Sequence, residues 1–212
     1  MKITLFGAAG EVGSRILSEA LARRHEVTAV VRDPAQVGKL PEAAMAAVGD
    51  AGRVEDVARL LSGQDLAISA LRPPEGRESL LVPLTRAILD GAALTGVRVL
   101  VVGGAASLRM PDGGDTVLTA PGFLPDSVLP IARACQAQYE LCLAEREADW
   151  CYLSPPAMLM PGDRSGRYRT GGDVLLTDPA GQSRISMEDF AVALLDEAET
   201  PHHAGERFTV AA

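Results

Sequence analysis

Apolar positions along the 212-residue chain switch repeatedly between strand-like runs and helix-like spacing. Ile3 to Phe6 is a short apolar run that stops at a glycine-rich turn. From Val12, apolar residues recur at Ile16, Leu17, Ala20 and Leu21, which is the spacing of one helix face. Val27 to Val31 predicts a second strand, and Ala46 to Val48 a weak third. Asp33-Pro34 between them reads as a turn, because proline disfavours helical backbone in the residue before it. Val54 to Leu61 predicts a helix ended by Ser62-Gly63, and Leu66 to Leu71 a fourth strand stopped by Pro73-Pro74. A helix over Ser79 to Leu94 follows, then Gly96. Val99 to Val102 reads as a strand buried on both faces.

Arg109 to Pro130 holds four prolines and three glycines, which predicts a long irregular loop. Ile131 to Ala148 reads as helix and Trp150 to Leu153 as strand. Pro161 to Asp178 reads as a loop with hairpin character. Ser186-Met187-Glu188-Asp189 is a capping box that opens a helix through Leu195, and Arg207 to Val210 closes the chain as a strand. Strands alternating with helices predict an α/β fold: a Rossmann-type, doubly wound parallel sheet with helices on both faces and a small C-terminal substrate region. The length predicts one domain over 1–212, with substrate-side loops at about 109–130 and 155–185. Ligands of such sheets bind beyond the carboxyl ends of the strands. Those ends are Gly7–Gly13, Arg32, Asp50, Ser69–Arg72, Gly103–Ser107 and Ser154–Pro156.

Composition narrows the chemistry. Apolar residues make up 47% and charged residues 23%, a globular balance that argues against disorder. A net charge of −8 argues against a broad nucleic-acid surface, so any anion site must be local. Lys2 and Lys39 are the only lysines, so a mechanism that needs an active-site lysine has two candidates. Cys135, Cys142 and Cys151 form no CxxC, which fits a reduced, cytoplasmic setting with the thiols as small buried hydrophobes. The start, MKITLFGAAG, does not read as a signal peptide, and no apolar run reaches the roughly 18 residues of a membrane span. His25 follows the first helix, where a cation suits the dipole, and His202-His203 lies in a polar loop. No cluster has zinc-like spacing, so no metal is expected.

Gly7, Gly10 and Gly13 form G-x-x-G-x-x-G between the first strand and the first helix. A dinucleotide pyrophosphate needs a tight turn there, close backbone approach and close helix–strand packing, all of which favour glycine. The helix start adds free N–H groups and a positive dipole end. Gly7, Ala9, Gly10, Glu11, Val12 and Gly13 are therefore the expected phosphate cradle. Arg32 follows the second strand, where an acidic residue would accept the ribose 2′-OH and an arginine suits a 2′-phosphate. NADP(H) is thus expected ahead of NAD(H). Asp33 reads as a turn residue, and Asp50 either reaches the adenine edge or caps a helix.

These features together resemble an atypical short-chain dehydrogenase/reductase. The segments that carry the resemblance are LFGAAGEVGSRIL, EVTAVVRDP, ISALRPP, VLVVGGAASL, WCYLSPPAMLMPGDRSGRYR and ISMEDFAVALLDEAE. The group resembled is the small NAD(P)H-binding one that includes NmrA-like redox-sensing regulators and the biliverdin reductase B/flavin reductase type. The resemblance implies a nicotinamide near Ser69, Ala70 and Leu71, near Gly103, Gly104 and the residues up to Ser107, and near Pro155-Pro156. It also implies a substrate-facing serine at Ser107.

The superfamily's Tyr-x-x-x-Lys pair is absent: Tyr139, Tyr152 and Tyr168 are followed four residues later by Leu143, Pro156 and Gly172. Carbonyl chemistry is therefore disfavoured. A conjugated acceptor such as a flavin or quinone delocalises the incoming charge, can take its proton from water, and needs chiefly orientation and a flat apolar slot. Phe123, Tyr139, Met158, Met160 and Tyr168 are candidates to line that slot, with Arg109–Pro130 and Met160–Arg169 as a modest lid. Three functions stand: an NADPH-dependent reductase of a conjugated acceptor, a non-catalytic NADP(H) sensor, or a dehydrogenase or epimerase-like enzyme with Ser107 or Tyr139 as unusual proton donor. The expected partner is a small-molecule substrate, with no nucleic acid and no membrane, and the chain is expected as a monomer or homodimer.

Overall fold

The computed structural model describes residues 1–212. Its strands are β1 (Lys2–Phe6), β2 (Glu26–Val31), β3 (Met45–Val48), β4 (Leu66–Ser69), β5 (Arg98–Val102), β6 (Trp150–Ser154), β7 (Met158–Met160), β8 (Arg169–Gly171), β9 (Arg184–Ser186) and β10 (Glu206–Ala211). Its helices are α1 (Glu11–Ala22), α2 (Val54–Leu61), α3 (Leu81–Thr95), α4 (Leu129–Ala144) and α5 (Met187–Glu199). The main sheet runs β3-β2-β1-β4-β5-β6-β10-β8, parallel except for β8, which is antiparallel to β10. The order reverses between β1 and β4, which opens the crevice where such folds bind nucleotides.

Side chains alternate along each strand, so each sheet face collects its own helices. On one face Ile3, Leu5 and Ile68 pack with Ile16 and Leu17 of α1 and with Phe190 and Leu194 of α5. On the other, Phe6, Val99 and Val101 pack with Val57 and Leu61 of α2 and Ile88 and Leu89 of α3. Val99, Leu100 and Val101 are all fully buried, as a central strand covered on both sides requires. A small third cluster of Leu108, Val117 and Leu175 joins the loop after β5 to the segment after β8.

Several boundaries differ from the sequence expectation. The strand expected to reach Leu71 ends at Ser69, because its partner β1 turns away at Gly7. The helix expected over Ile131 to Ala148 stops at Ala144. There the Glu145 carboxylate accepts the N–H groups of Arg146, Glu147 and Ala148, which replaces helical bonding with a side-chain turn. The expected hairpin in 161–178 does not form: β8 pairs with distant β10, and β7 pairs in parallel with β9. Half the capping box forms, since Ser186 accepts the Asp189 N–H. The Asp189 carboxylate does not reach back; it receives Ser165 Oγ and the Gly166 N–H instead.

Candidate functional site

The turn after β1 is built by close approach. Gly7 has φ +83, and a Cβ there would stand 2.5 Å from the Ala70 carbonyl oxygen at the end of β4. A Cβ on Gly13 would lie 2.0 Å from the Gly7 carbonyl oxygen, so only glycine lets α1 sit this close to the turn. Gly10 is the N-cap of α1 and donates to the Gly7 carbonyl at 3.0 Å. No side chain caps this helix. Its first N–H groups, on Glu11, Val12 and Gly13, therefore face outward without helical carbonyls, at the positive end of the helix dipole. This cradle fits a pyrophosphate.

The ends of β2 and β3 lie side by side, with Gly49 N–H donating to the Val31 carbonyl at 3.1 Å. Arg32 is exposed there. Asp33 accepts the Ala35 N–H and caps the 3-10 turn Pro34–Lys39, as its turn role requires. Asp50 does not cap α2, whose N-cap is Arg53; its Oδ1 instead accepts the Gly52 N–H at 2.9 Å in the turn before that helix.

A cavity of about 580 Å³ opens from the cradle across the ends of β1, β4, β5 and β6. Of the expected cofactor residues, Gly7, Gly10, Glu11, Val12, Ala70, Leu71, Gly103, Gly104 and Pro155 line it together. Gly13 is packed behind the turn, Ser69 is buried in β4, and Ala9, Arg32 and Asp50 lie outside the lining. The far walls are aliphatic, from Leu81, Val117, Leu124, Val128 and Ile131.

Arg72, at an expected strand end, also lines the cavity, as do Cys135 and Gln138, which were missed as site residues. Ala132, Cys135 and Gln138 recur at intervals of three on α4, a spacing that places them on one helix face and could have found them. Tyr152 was missed too. It is fully buried, accepts the Gly104 N–H at 3.1 Å and directs its hydroxyl at the Cys135 carbonyl and Gln138 Oε1, both at 3.2 Å. Its ring fills the space a Gly103 side chain would need. Gln138 is itself held by Thr85 Oγ1 at 2.9 Å. Burial pushes the Cys135 thiol up to about 11, with nearby Arg72 opposing.

The residues expected to line a flat apolar slot do not line the cavity. Met158 and Met160 are exposed, as is Phe123, and Tyr168 hydrogen-bonds Asp196 on the α5 side. The Met160–Arg169 part of the expected lid is likewise elsewhere. Glu188 holds the Gly162 N–H, Glu19 pairs with Arg164, and Asp189 holds Ser165 and Gly166, so this strap is drawn onto α1 and α5. Covering the cavity falls to residues of the 105–131 segment. The two candidate proton donors are also outside the lining: Ser107 Oγ accepts from Arg207 at 2.6 Å, and the Tyr139 ring lies under the same guanidinium. The histidines engage carboxylates, His25 with Glu199 and His203 with Glu197. No helix is long and apolar enough to cross a membrane.

A parallel sheet ordered 3-2-1-4-5-6 with an uncapped helix start at its crevice defines a Rossmann-type dinucleotide-binding protein. Residues 7–201 match the NAD(P)H-binding family, and the chain belongs to it. The uncharacterized protein YwnB of Bacillus subtilis is 37% identical over 214 residues, which cover 99% of this chain and 98% of YwnB. A Bacteroides thetaiotaomicron structure provisionally named an epimerase is 40% identical, with a TM-score of 0.89 and 99% and 96% of the two chains covered. A Streptococcus pneumoniae structure provisionally named an NADH-flavin reductase is 31% identical, with a TM-score of 0.90 and 100% and 99% covered. The atypical short-chain dehydrogenase/reductase character expected from the sequence holds.

Proposed function

We propose that the protein is an NADPH-dependent oxidoreductase that delivers hydride to a conjugated acceptor, such as a flavin or quinone. The observation that carries this reading is a mainly aliphatic cavity continuous with the phosphate cradle, without Ser107, any tyrosine or any lysine in its lining. The bound nicotinamide would supply the hydride. The chain supplies the rest: Gly7–Gly13 and the start of α1 hold the pyrophosphate, and the walls from Leu81, Leu124 and Ile131 exclude water and orient a flat acceptor. A thiol held near 11 is a poor acid at neutral pH, so Cys135 keeps its proton. An acceptor that takes its proton from water suits such a site. Arg32, exposed beside the expected adenosine ribose, favours the 2′-phosphate. The Streptococcus pneumoniae neighbour is named for NADH, so cofactor preference is the point on which this chain would diverge.

The test is NADPH oxidation against riboflavin, a naphthoquinone and simple ketones. Turnover is expected with the first two and not with ketones. Tyr139→Phe should slow the reaction less than tenfold, under about 1.4 kcal/mol of barrier. Ketone turnover, or a hundredfold loss in Tyr139→Phe with NADPH binding intact, would overturn the reading. Tight binding selective for one redox state, with no turnover of any acceptor, would mark a sensor.

A further inference from the structure

Arg207 stands in β10 beside Tyr152 of β6, with a side chain only 4% exposed. A buried guanidinium must be met by partners or its desolvation goes uncompensated. Its Nη1 donates to Ser107 Oγ at 2.6 Å and its Nε to Asp173 Oδ1 at 3.1 Å. Its central carbon lies 4.2 Å from the Tyr139 ring centroid, a cation–π contact. Tyr139 packs in turn against Tyr152, ring centroids 5.1 Å apart, and Tyr152 holds the Gly104 N–H. Arg207 thus grips both ends of the short segment Gly103–Ser107: the far end directly through Ser107, the near end through two tyrosines packed at a tilt. Gly103 to Ala106 are wall of the cavity, whereas Arg207, Ser107 and Tyr139 are not.

We propose that Arg207 is a positioning residue for hydride transfer, fixing the Gly103–Ala106 wall against which the reacting groups align. Ser107 and Tyr139 serve as its partners and donate no proton. The proposal rests on the oxidoreductase reading above. A displacement of about 1 Å in a reacting geometry can lower a rate on the order of a hundredfold. The phosphate cradle lies at other strand ends, so cofactor affinity should change far less.

The experiment compares wild type with Arg207→Met, Arg207→Lys and Asp173→Asn. It measures amide hydrogen exchange of the ligand-free protein, NADPH affinity by calorimetry, and kcat with a naphthoquinone. In Arg207→Met, exchange over 103–107 should rise about tenfold or more while α1 and β1 keep their protection. Its kcat should fall roughly 10- to 100-fold with NADPH affinity within about threefold of wild type. Arg207→Lys should recover part of both effects, and Asp173→Asn should show both more weakly. A folded Arg207→Met with unchanged exchange over 103–107, or with raised exchange but wild-type kcat, overturns the proposal. Should Arg207→Met fail to fold, Ser107→Ala and Asp173→Asn decide it. A catalytic serine hydroxyl would lower kcat in Ser107→Ala without touching amide exchange. If wild type transfers no hydride to any acceptor, the oxidoreductase reading falls, and exchange over 103–107 alone judges whether Arg207 holds the wall.

Discussion

Gly10 and Gly13 stand three residues apart under different constraints. A Cβ at Gly10 meets only the Gly7 carbonyl oxygen, at 3.3 Å, whereas one at Gly13 would collide with it at 2.0 Å. Gly10→Val should therefore fold but lose NADPH binding, because the branched side chain stands where the pyrophosphate approaches. Gly13→Ala should already destabilise the fold. Calorimetry and thermal denaturation separate the two, and unchanged NADPH affinity in a folded Gly10→Val protein would remove the cradle from this loop. On the proposed reading, exposed Arg32 sets cofactor choice. Charge-assisted hydrogen bonds contribute about 1.5–3 kcal/mol, or roughly 10- to 150-fold in affinity. NADPH should be preferred to NADH by a factor in that range, shrinking as salt rises. Arg32→Ala should bring the two dissociation constants together, chiefly by weakening NADPH. A preference that Arg32→Ala leaves unmoved would mean that the guanidinium does not touch the phosphate. The glycine turn was legible because its constraint is local: three glycines at one strand–helix junction. Tyr152 and Arg207 were not, because their partners are brought to them by strands and loops far away in sequence.

At the scale of elements, α1 and α5 are joined by charge as well as by apolar packing. Glu19 of α1 is buried, accepting from Arg23 at 2.8 Å and from Arg164 of the strap at 2.7 and 2.8 Å. The Arg164 hydrogen bond, with Arg23 behind it, pulls the Glu19 carboxyl down to about 2 against the opposing effect of burial. A carboxylate whose folded pKa lies below its unfolded value stabilises the fold fully above the unfolded value. That contribution is lost as pH falls through the folded one. With Arg164 half-exposed, solvent screening reduces the contribution to about 2 kcal/mol. Glu19→Gln should therefore be less stable than wild type at pH 7 by about that amount. The gap should narrow from about pH 5 downward and close near pH 2, as read by denaturant melts. A gap that stays constant with pH would show that the charge of Glu19 is irrelevant to the joint. The sequence marks the start of α5 correctly, since Ser186 is a local cap. It mis-marks the partner of Asp189, because the competing donors Ser165 and Gly166 lie more than twenty residues away.

For the whole molecule, the sheet order decides where everything else can act. Alternation of strand and helix, the glycine junction and the β-branched run at β5 were enough to predict a doubly wound sheet and the strand ends that face the crevice. These depend on local backbone preference and hydrophobic period, which a linear chain displays openly. Predicting the cavity's far wall required more. Met158 and Met160 looked like pocket wall, yet alternation in a three-residue strand turns only Leu159 between them inward and leaves both methionines exposed. The glycine- and arginine-rich strap looked like a lid, yet four carboxylates on α1 and α5 draw it to another face. Ser107 and Tyr139 looked like proton donors, yet an arginine one hundred residues beyond Ser107 takes them both as partners. The sequence by itself determined the fold class, through an alternation repeated along the whole chain, and the glycine turn, through residues within one strand–helix junction. The tertiary structure alone decided which side chains face the cavity. That depends on which distant charge reaches which partner when strands β6 and β10 come to lie side by side.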